Sequence, residues 1–218
     1  MIDHQLLAHL ENFISPERRQ RFRDILEERT KYITVAIEDV YQLHNTSAVI
    51  RSCEVFGIQE AHLIESRFGK RLDKNIAMGA QQWVDVYRYK TTTECLSMLK
   101  EKGYQIIATT PHDETGLLHD FRIDGKIALF FGTEKEGLSE TVLQNADGCI
   151  KIPMVGFTES LNISVSAAII LHTLTDKLKK SDKRWQLTEA EKVEKQLDWI
   201  KKSIKSIDAI LARYYDNE

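Results

Sequence analysis

The sequence predicts an α/β fold: a parallel sheet with helices on both faces, and extra helices at the N- and C-terminal ends. Three observations carry that prediction. Short β-branched and apolar runs, such as Tyr32–Ile37 (YITVAI) and Ile127–Phe131 (IALFF), alternate with amphipathic stretches through the centre of the chain. Glycines stand where amphipathic stretches end, at Gly57 and Gly103. The two ends of the chain are polar and amphipathic, without a strand-like run.

Taken in order, residues 2–13 and 16–30 read as helices, with Ser15-Pro16 as a start signal for the second. Tyr32–Ile37 is a buried strand, Asn45–Phe56 a helix and Glu60–Glu65 a strand. Lys74–Ala80 reads as a short helix and Val84–Tyr89 alternates like a strand. Thr91–Lys102 is a helix, Tyr104–Thr109 and Ile127–Phe131 are strands, Ser139–Asn145 is a helix and Cys149–Ile152 a short strand. Asn162–Leu178 is a strongly apolar helix. Glu189–Tyr214 reads as one long, charged amphipathic helix. A polar stretch near Ser181-Asp182 is the candidate boundary. The expected organisation is a helical extension over 1–30, a central domain over 31–180 and a second helical extension over 181–218.

A chain of 218 residues can bury one substantial core. Its formal charge of −3 does not announce a nucleic-acid binder, but the charge is segregated. Arg18, Arg19, Arg21 and Arg23 crowd one short stretch, and Lys177, Lys179, Lys180, Lys183 and Arg184 another. Such runs are ordinarily solvated helix faces, yet two of them flanking a neutral-to-acidic centre also suit a phosphate-binding surface. Cys53, Cys95 and Cys149 are far apart and odd in number, which reads as reduced, buried cysteines of a cytoplasmic protein. The histidines show no zinc spacing. The N-terminus does not read as a signal peptide, and no apolar run reaches the roughly 20 residues that a bilayer requires. No metal and no membrane are expected.

Three stretches carry the chemistry. In His44–Arg51, Asn45 or Thr46 is placed to cap a helix, and the small Ser47 and Ala48 neighbour Arg51 on its surface. Alone, an arginine at such a place is ordinarily a surface residue. In Ile127–Ser139, a buried strand passes through a loop bracketed by Gly132 and Gly137 into a helix. The spacing mimics a nucleoside-triphosphate loop, but Leu138 stands where that motif requires lysine, so that reading is excluded. Glu134 makes the loop better suited to a cationic ligand than to a phosphate. In Ile150–Ala168, the helix start is crowded with Ser160, Asn162, Ser164 and Ser166, which is either good capping chemistry or a surface for close approach. None of the three is a metal site or a nucleophile–base pair. Together they point to group transfer by positioning and electrostatics.

In this order and spacing the three stretches resemble the motifs of the SpoU/TrmH branch of the SPOUT RNA methyltransferases. Asn45 followed six residues later by Arg51 matches the first. Gly132, Glu134 and Gly137 match G-x-E-x-x-G. Ile152-Pro153-Met154 with Ser160-Leu161-Asn162-Ile163-Ser164 matches the third. The likeness covers roughly residues 18–175. The segment Gly79–Trp83 and the terminal helices are similar to members that methylate the ribose 2′-oxygen of guanosine 18 in the D-loop of tRNA. The Lys-rich C-terminal helix departs from their arginine-rich one.

The resemblance implies a C-terminal trefoil knot over about 130–174, S-adenosylmethionine as cofactor and a cytoplasmic homodimer acting on tRNA. It places Arg51, Asn45, Glu134, Asn162 and Ser160 in the catalytic site. Around the cofactor it places Thr109, Gly132, Glu134, Gly137, Ile152, Met154 and Leu161. Arg18, Arg19, Arg21, Lys177, Lys180, Lys183 and Arg184 are the expected RNA contacts. A guanidinium holds its proton, so Arg51 is expected to stabilise a nascent alkoxide and not to act as a base. Methylation of ribosomal RNA, or an inactive RNA-binding dimer of the same fold, are the alternatives. A dinucleotide-binding oxidoreductase is disfavoured, because no GxGxxG follows an early strand.

Overall fold

The computed structural model describes residues 3–40, 42–66, 79–111 and 116–216. The chain divides into two compact units, Thr30–Trp185 and the pair of segments Met1–Arg29 and Gln186–Glu218.

Among the described residues, the larger unit is built on six parallel strands: β1 (Ile33–Glu38), β2 (Glu60–Ile64), β3 (Asp85–Tyr89), β4 (Gln105–Thr109), β5 (Ile127–Phe131) and β6 (Gly148–Ile150). Their order is β3-β2-β1-β5-β4-β6. Register runs Ile33↔Ile127 to Ile37↔Phe131 between the central pair, and Glu38↔Ile64 closes the β1–β2 ladder. Every residue of β1, β2 and β5 is buried, as expected of parallel strands covered on both faces.

The period of two sorts these side chains into two cores. Ile33, Val35, Ile37, Ile127, Leu129 and Phe131 join one, together with Val49 and Ile50 of α3 (Leu43–Val55) and Ile170, Leu171 and Leu174 of α6 (Ile163–Lys179). Ala36, Ala128 and Phe130 join the other, with Cys95, Leu96 and Leu99 of α4 (Thr92–Glu101) and Val142 of α5 (Glu140–Asn145). Helices therefore cover both faces of the sheet, as the alternating pattern predicts. Burying each such Ile or Leu contributes roughly 1.5–3 kcal/mol.

The other unit holds α1 (His4–Glu11), α2 (Pro16–Glu27), α7 (Glu189–Ser203) and α8 (Ile207–Asp216). Leu10, Phe22, Leu26, Trp199 and Ile200 are buried, with Phe22 edge-on to Trp199 at 5.7 Å. The Arg29 guanidinium lies 5.3 Å from the Trp199 ring centre.

Three expectations change. The long helix over Glu189–Tyr214 is two helices. Ile204 is extended (ψ 126°) and Ser206 takes φ 58°, so the backbone turns before α8 begins. The helix carrying Arg51 starts at Leu43, two residues before the expected start at Asn45, and its N-cap Gln42 makes no side-chain cap bond. Cys149 is half-buried, while Cys53 and Cys95 are buried, and all three are free thiols. Of the helix expected over Lys74–Ala80, residues 74–78 lie outside the described residues. Gly79 is left-handed and Ala80 begins a 3₁₀ turn through Gln82. No helix among the described residues is long and apolar enough to cross a membrane.

Candidate active site

The strand ends of β4, β5 and β6 open into a cavity of about 420 Å³. Parallel sheets put ligand crevices at this end, where the loops leave the strands. Thr109, Phe131 and Ile150 line the floor, the Gly132–Leu138 loop lines one wall and Ile152, Met154 and Glu159–Leu161 another. All seven residues expected around a cofactor (Thr109, Gly132, Glu134, Gly137, Ile152, Met154 and Leu161) are in this lining, and so is Ser160.

The glycine loop is a tight antiparallel turn. Thr133 N–H donates to Gly137 O at 2.9 Å and Gly137 N–H returns to Thr133 O at 3.0 Å. Thr133 Oγ1 accepts from Glu136 N–H at 2.9 Å. The two strands of the turn are so close that a Cβ on Gly132 would stand 2.2 Å from the Gly137 carbonyl carbon and oxygen. Only glycine fits there.

At the top of this loop the three motifs meet on one carboxylate. Glu134 Oε1 accepts from Asn45 Nδ2 at 2.9 Å and from Asn162 Nδ2 at 2.5 Å. Asn162 Nδ2 also donates to Asn45 Oδ1 at 3.2 Å, and Asn45 Nδ2 to Gln42 Oε1 at 3.1 Å. Asn162 keeps its capping role as well, its Oδ1 accepting from Ser164 N–H (2.8 Å) and Ser164 Oγ (2.6 Å). This explains why Asn45 is not a helix cap. Its amide is engaged 89 residues away, and the helix runs past it toward Gln42.

Arg51 is elsewhere on α3. Six residues carry it roughly 9 Å along the axis from the buried Asn45, and it is exposed. It does not line the cavity, and it makes no ion pair among the described residues.

The cavity's chemistry fits S-adenosylmethionine. Phe131, Leu138, Ile152, Met154 and Ile163 supply apolar walls for a base and a thioether chain. Glu134, Glu136 and Glu159 outnumber Lys135, a balance that favours a sulfonium cation. Among the described residues no group of three His, Cys, Asp or Glu side chains could hold a metal ion.

The basic residues differ in what occupies them. Arg18 is exposed, 5.8 Å from the Phe22 ring centre, and Arg21 is exposed, while Arg19 lies 3.6 Å from Glu11. Lys180 pairs with Asp176 at 2.7 Å. Lys183 is half-buried and Arg184 exposed. Lys177 serves the fold instead. Its ammonium donates to the carbonyls of His119 (2.6 Å), Leu118 (3.1 Å) and Phe121 (3.3 Å). Those bonds engage all three of its N–H donors.

Sequence reasoning missed Lys177's role and passed over Glu38, a buried acid at the end of β1. Glu38 stands at the carboxyl end of a buried strand, where an acid has no packing reason to be, and that was its available signal.

The SpoU rRNA Methylase family matches residues 32–172. A tRNA (guanosine(18)-2′-O)-methyltransferase of Borreliella burgdorferi is 39% identical over 201 residues, 92% of this chain and 92% of that protein. One of the same name from Thermus thermophilus is 37% identical over 154 residues, 71% of this chain and 79% of that one. Among solved structures, the A. aeolicus TrmH/SpoU tRNA modifying enzyme superposes with a TM-score of 0.75 at 30% identity, covering 87% of this chain and 98% of its own. The SpoU methyltransferase AviRb from Streptomyces viridochromogenes, in complex with AdoMet, shares the fold at a TM-score of 0.63 and 20% identity, covering 72% of this chain and 62% of its own. With its family match spanning most of the chain and its three motifs joined at Glu134, this chain belongs to the SpoU methylase family.

Proposed function

We propose that this chain methylates the 2′-oxygen of a tRNA ribose, that of guanosine 18, using S-adenosylmethionine. The observation that carries the reading is the convergence of Asn45, Glu134 and Asn162 beside a cavity of fitting size and charge. The relatives that align with 71–92% of the chain support tRNA as the substrate over ribosomal RNA.

When bound, the cofactor supplies an electrophilic methyl on a sulfonium. The chain's residues do the rest by placement. The Gly132–Leu138 loop and the 152–161 segment enclose the cavity, and the Asn45 and Asn162 amides fix the Glu134 carboxylate on its rim. The ribose oxygen would take the methyl as its bond to the sulfonium sulfur breaks, leaving a neutral thioether, and the hydroxyl proton would pass to water. Arg51 opposes the charge that develops on that oxygen. Its exposed place on α3 leaves it open to a large substrate.

The acting unit is a homodimer in the cytoplasm, with no metal. Val165 and Ile169 of α6 are apolar and 46% and 37% exposed, beside the small Ser164, Ser166 and Ala168. Such a face suits a two-fold contact. The central domain is knotted. The 116–118 and 149–151 segments run side by side, so closely that a Cβ on Gly116 would be 2.2 Å from Cys149 O. Lys151 N–H donates to Gly116 O and Leu118 N–H to Lys151 O. Exposed Arg18, Arg21 and Arg184 contact the RNA backbone.

The test is to incubate the protein with methyl-labelled S-adenosylmethionine and unmodified tRNA, and to map the label. Ribose label on guanosine 18 is expected. Label confined to ribosomal RNA would overturn the substrate, and no label on either would overturn the activity.

A further inference from the structure

We propose that Glu38 is a positioning residue for cofactor binding: it fastens the return end of the Gly132–Leu138 loop to the end of β1. The inference rests on the reading of the cavity as a cofactor site.

Glu38 is 4% exposed, and both of its carboxylate oxygens are engaged. Oε2 accepts from Ser139 N–H at 2.8 Å, and Oε1 from Ser139 Oγ at 2.7 Å and Thr92 Oγ1 at 2.6 Å. Ser139 is the first residue after the loop and the N-cap of α5. Thr92 is the first residue of α4, whose N-terminus favours a negative charge. Because Ile37 pairs with Phe131, Glu38 follows the last register pair where the loop leaves the sheet. Its carboxylate then takes hold of the chain where the loop comes back.

Burying a carboxylate is unfavourable until its bonds offset the lost hydration, and an apolar side chain would pack α4 on the sheet without that loss. What an apolar residue cannot do is bind the N–H and O–H of Ser139 together. The loop is then held at its middle by the Thr133–Gly137 pair, at its top by Asn45 and Asn162 on Glu134, and at its return by Glu38. A loop loose at the return end lets the cavity wall move, which weakens cofactor binding while leaving Arg51 in place.

The experiment is calorimetric titration of the full chain with S-adenosylmethionine, with thermal unfolding and steady-state kinetics alongside. Glu38→Ala and Glu38→Asp are expected to raise the cofactor Kd at least tenfold. Glu38→Asp keeps the charge but shortens the reach to Ser139, so it folds even where alanine does not. Kinetically, the loss falls in the cofactor KM, while kcat at saturation drops less than threefold. Glu38→Gln is expected within threefold of the wild-type Kd, since its carbonyl still accepts from Ser139 N–H and both hydroxyls can turn to accept from its amide. Thr92→Val, which loosens only the α4 side, lowers the unfolding temperature and leaves Kd within twofold. The proposal is overturned by folded Glu38→Ala and Glu38→Asp variants that bind within twofold of wild type. It is equally overturned by Kd rising as much in Thr92→Val as in Glu38→Asp. A wild-type chain that does not bind the cofactor at all refutes the cavity reading itself, a result distinct from these.

Discussion

Gly132→Ala probes the glycine turn that walls the cavity. The added Cβ would stand 2.2 Å from Gly137 C and O and 2.5 Å from Leu138 N, where ordinary contact begins near 3.4 Å. These neighbours are backbone and cannot rotate away, so the two sides of the turn must part by about 1 Å. That stretches the Thr133–Gly137 bonds, now 2.9 and 3.0 Å, to about 4 Å, beyond hydrogen-bond range. Two lost bonds at about 1 kcal/mol each, with similar strain, cost about 2–4 kcal/mol. For a chain of this size that lowers Tm by about 4–16 °C. A displacement of about 1 Å in a binding wall also costs about 100-fold in kcat/KM. Gly103→Ala is the control. Gly103 has φ +79° and nothing within 4 Å of a new Cβ, so it carries backbone strain of about 1 kcal/mol and no clash. Thermal unfolding and cofactor titration of both variants decide the matter. Gly132→Ala binding cofactor like wild type, with Tm within a degree, would refute the close approach of the two sides of the turn.

The same geometry sets three further outcomes. Asn45→Ala and Asn162→Ala remove donors to a shared Glu134 oxygen, so their effects on cofactor affinity are non-additive by about 1 kcal/mol; strict additivity in a double-mutant cycle would contradict a shared network. Arg51→Lys retains part of the methyl transfer with a shifted pH profile, because an ammonium is a poorer clamp than a guanidinium and can deprotonate. An unchanged profile counts against the electrostatic role. His62 is buried between Tyr87 and Tyr89, its ring stacked 5.3 Å from that of Tyr87. Burial first, and then the Lys102 charge, push its pKa down to about 3. The unfolded chain binds the proton more readily, so this group's contribution is complete above about pH 6.5 and is lost as pH falls toward 3, at about 1.4 kcal/mol per pH unit. Urea unfolding at pH 7 and pH 5 should show His62→Phe losing about 2 kcal/mol less than wild type on acidification; equal losses would sink the assignment.

The parts of this protein that sequence reveals are those whose cause is local. Ile127–Phe131 is a strand with the expected bounds because five consecutive apolar residues fit a strand buried on both faces. Ser15, Thr91 and Asn162 cap the helices that their positions announce, each accepting from a backbone N–H two or three residues on. The residues that line the cavity could be named in advance because the stretches around Gly132 and Asn162 resemble the motifs of a known family, which implies them as cofactor contacts. What sequence hides is decided by partners far along the chain. Asn45 looks like a cap, and becomes part of a helix interior because Glu134 engages its amide. Lys177 looks like a surface charge, and becomes a clamp because residues 118–121 bring three carbonyls to it. The break before α8 has no proline or glycine to announce it. It shows in the extended backbone of Ile204 and the positive φ of Ser206.

Placement of a methyl on one ribose oxygen can be read from a single pair of substrates. Two tRNA transcripts that differ only at guanosine 18, one with ribose and one with 2′-deoxyribose, are incubated with the protein and methyl-labelled S-adenosylmethionine. Labelling of the ribose transcript and none of the deoxy transcript is predicted, with the first signal abolished in Arg51→Ala. Equal labelling of both transcripts would refute ribose methylation, since no 2′-oxygen would then be the acceptor.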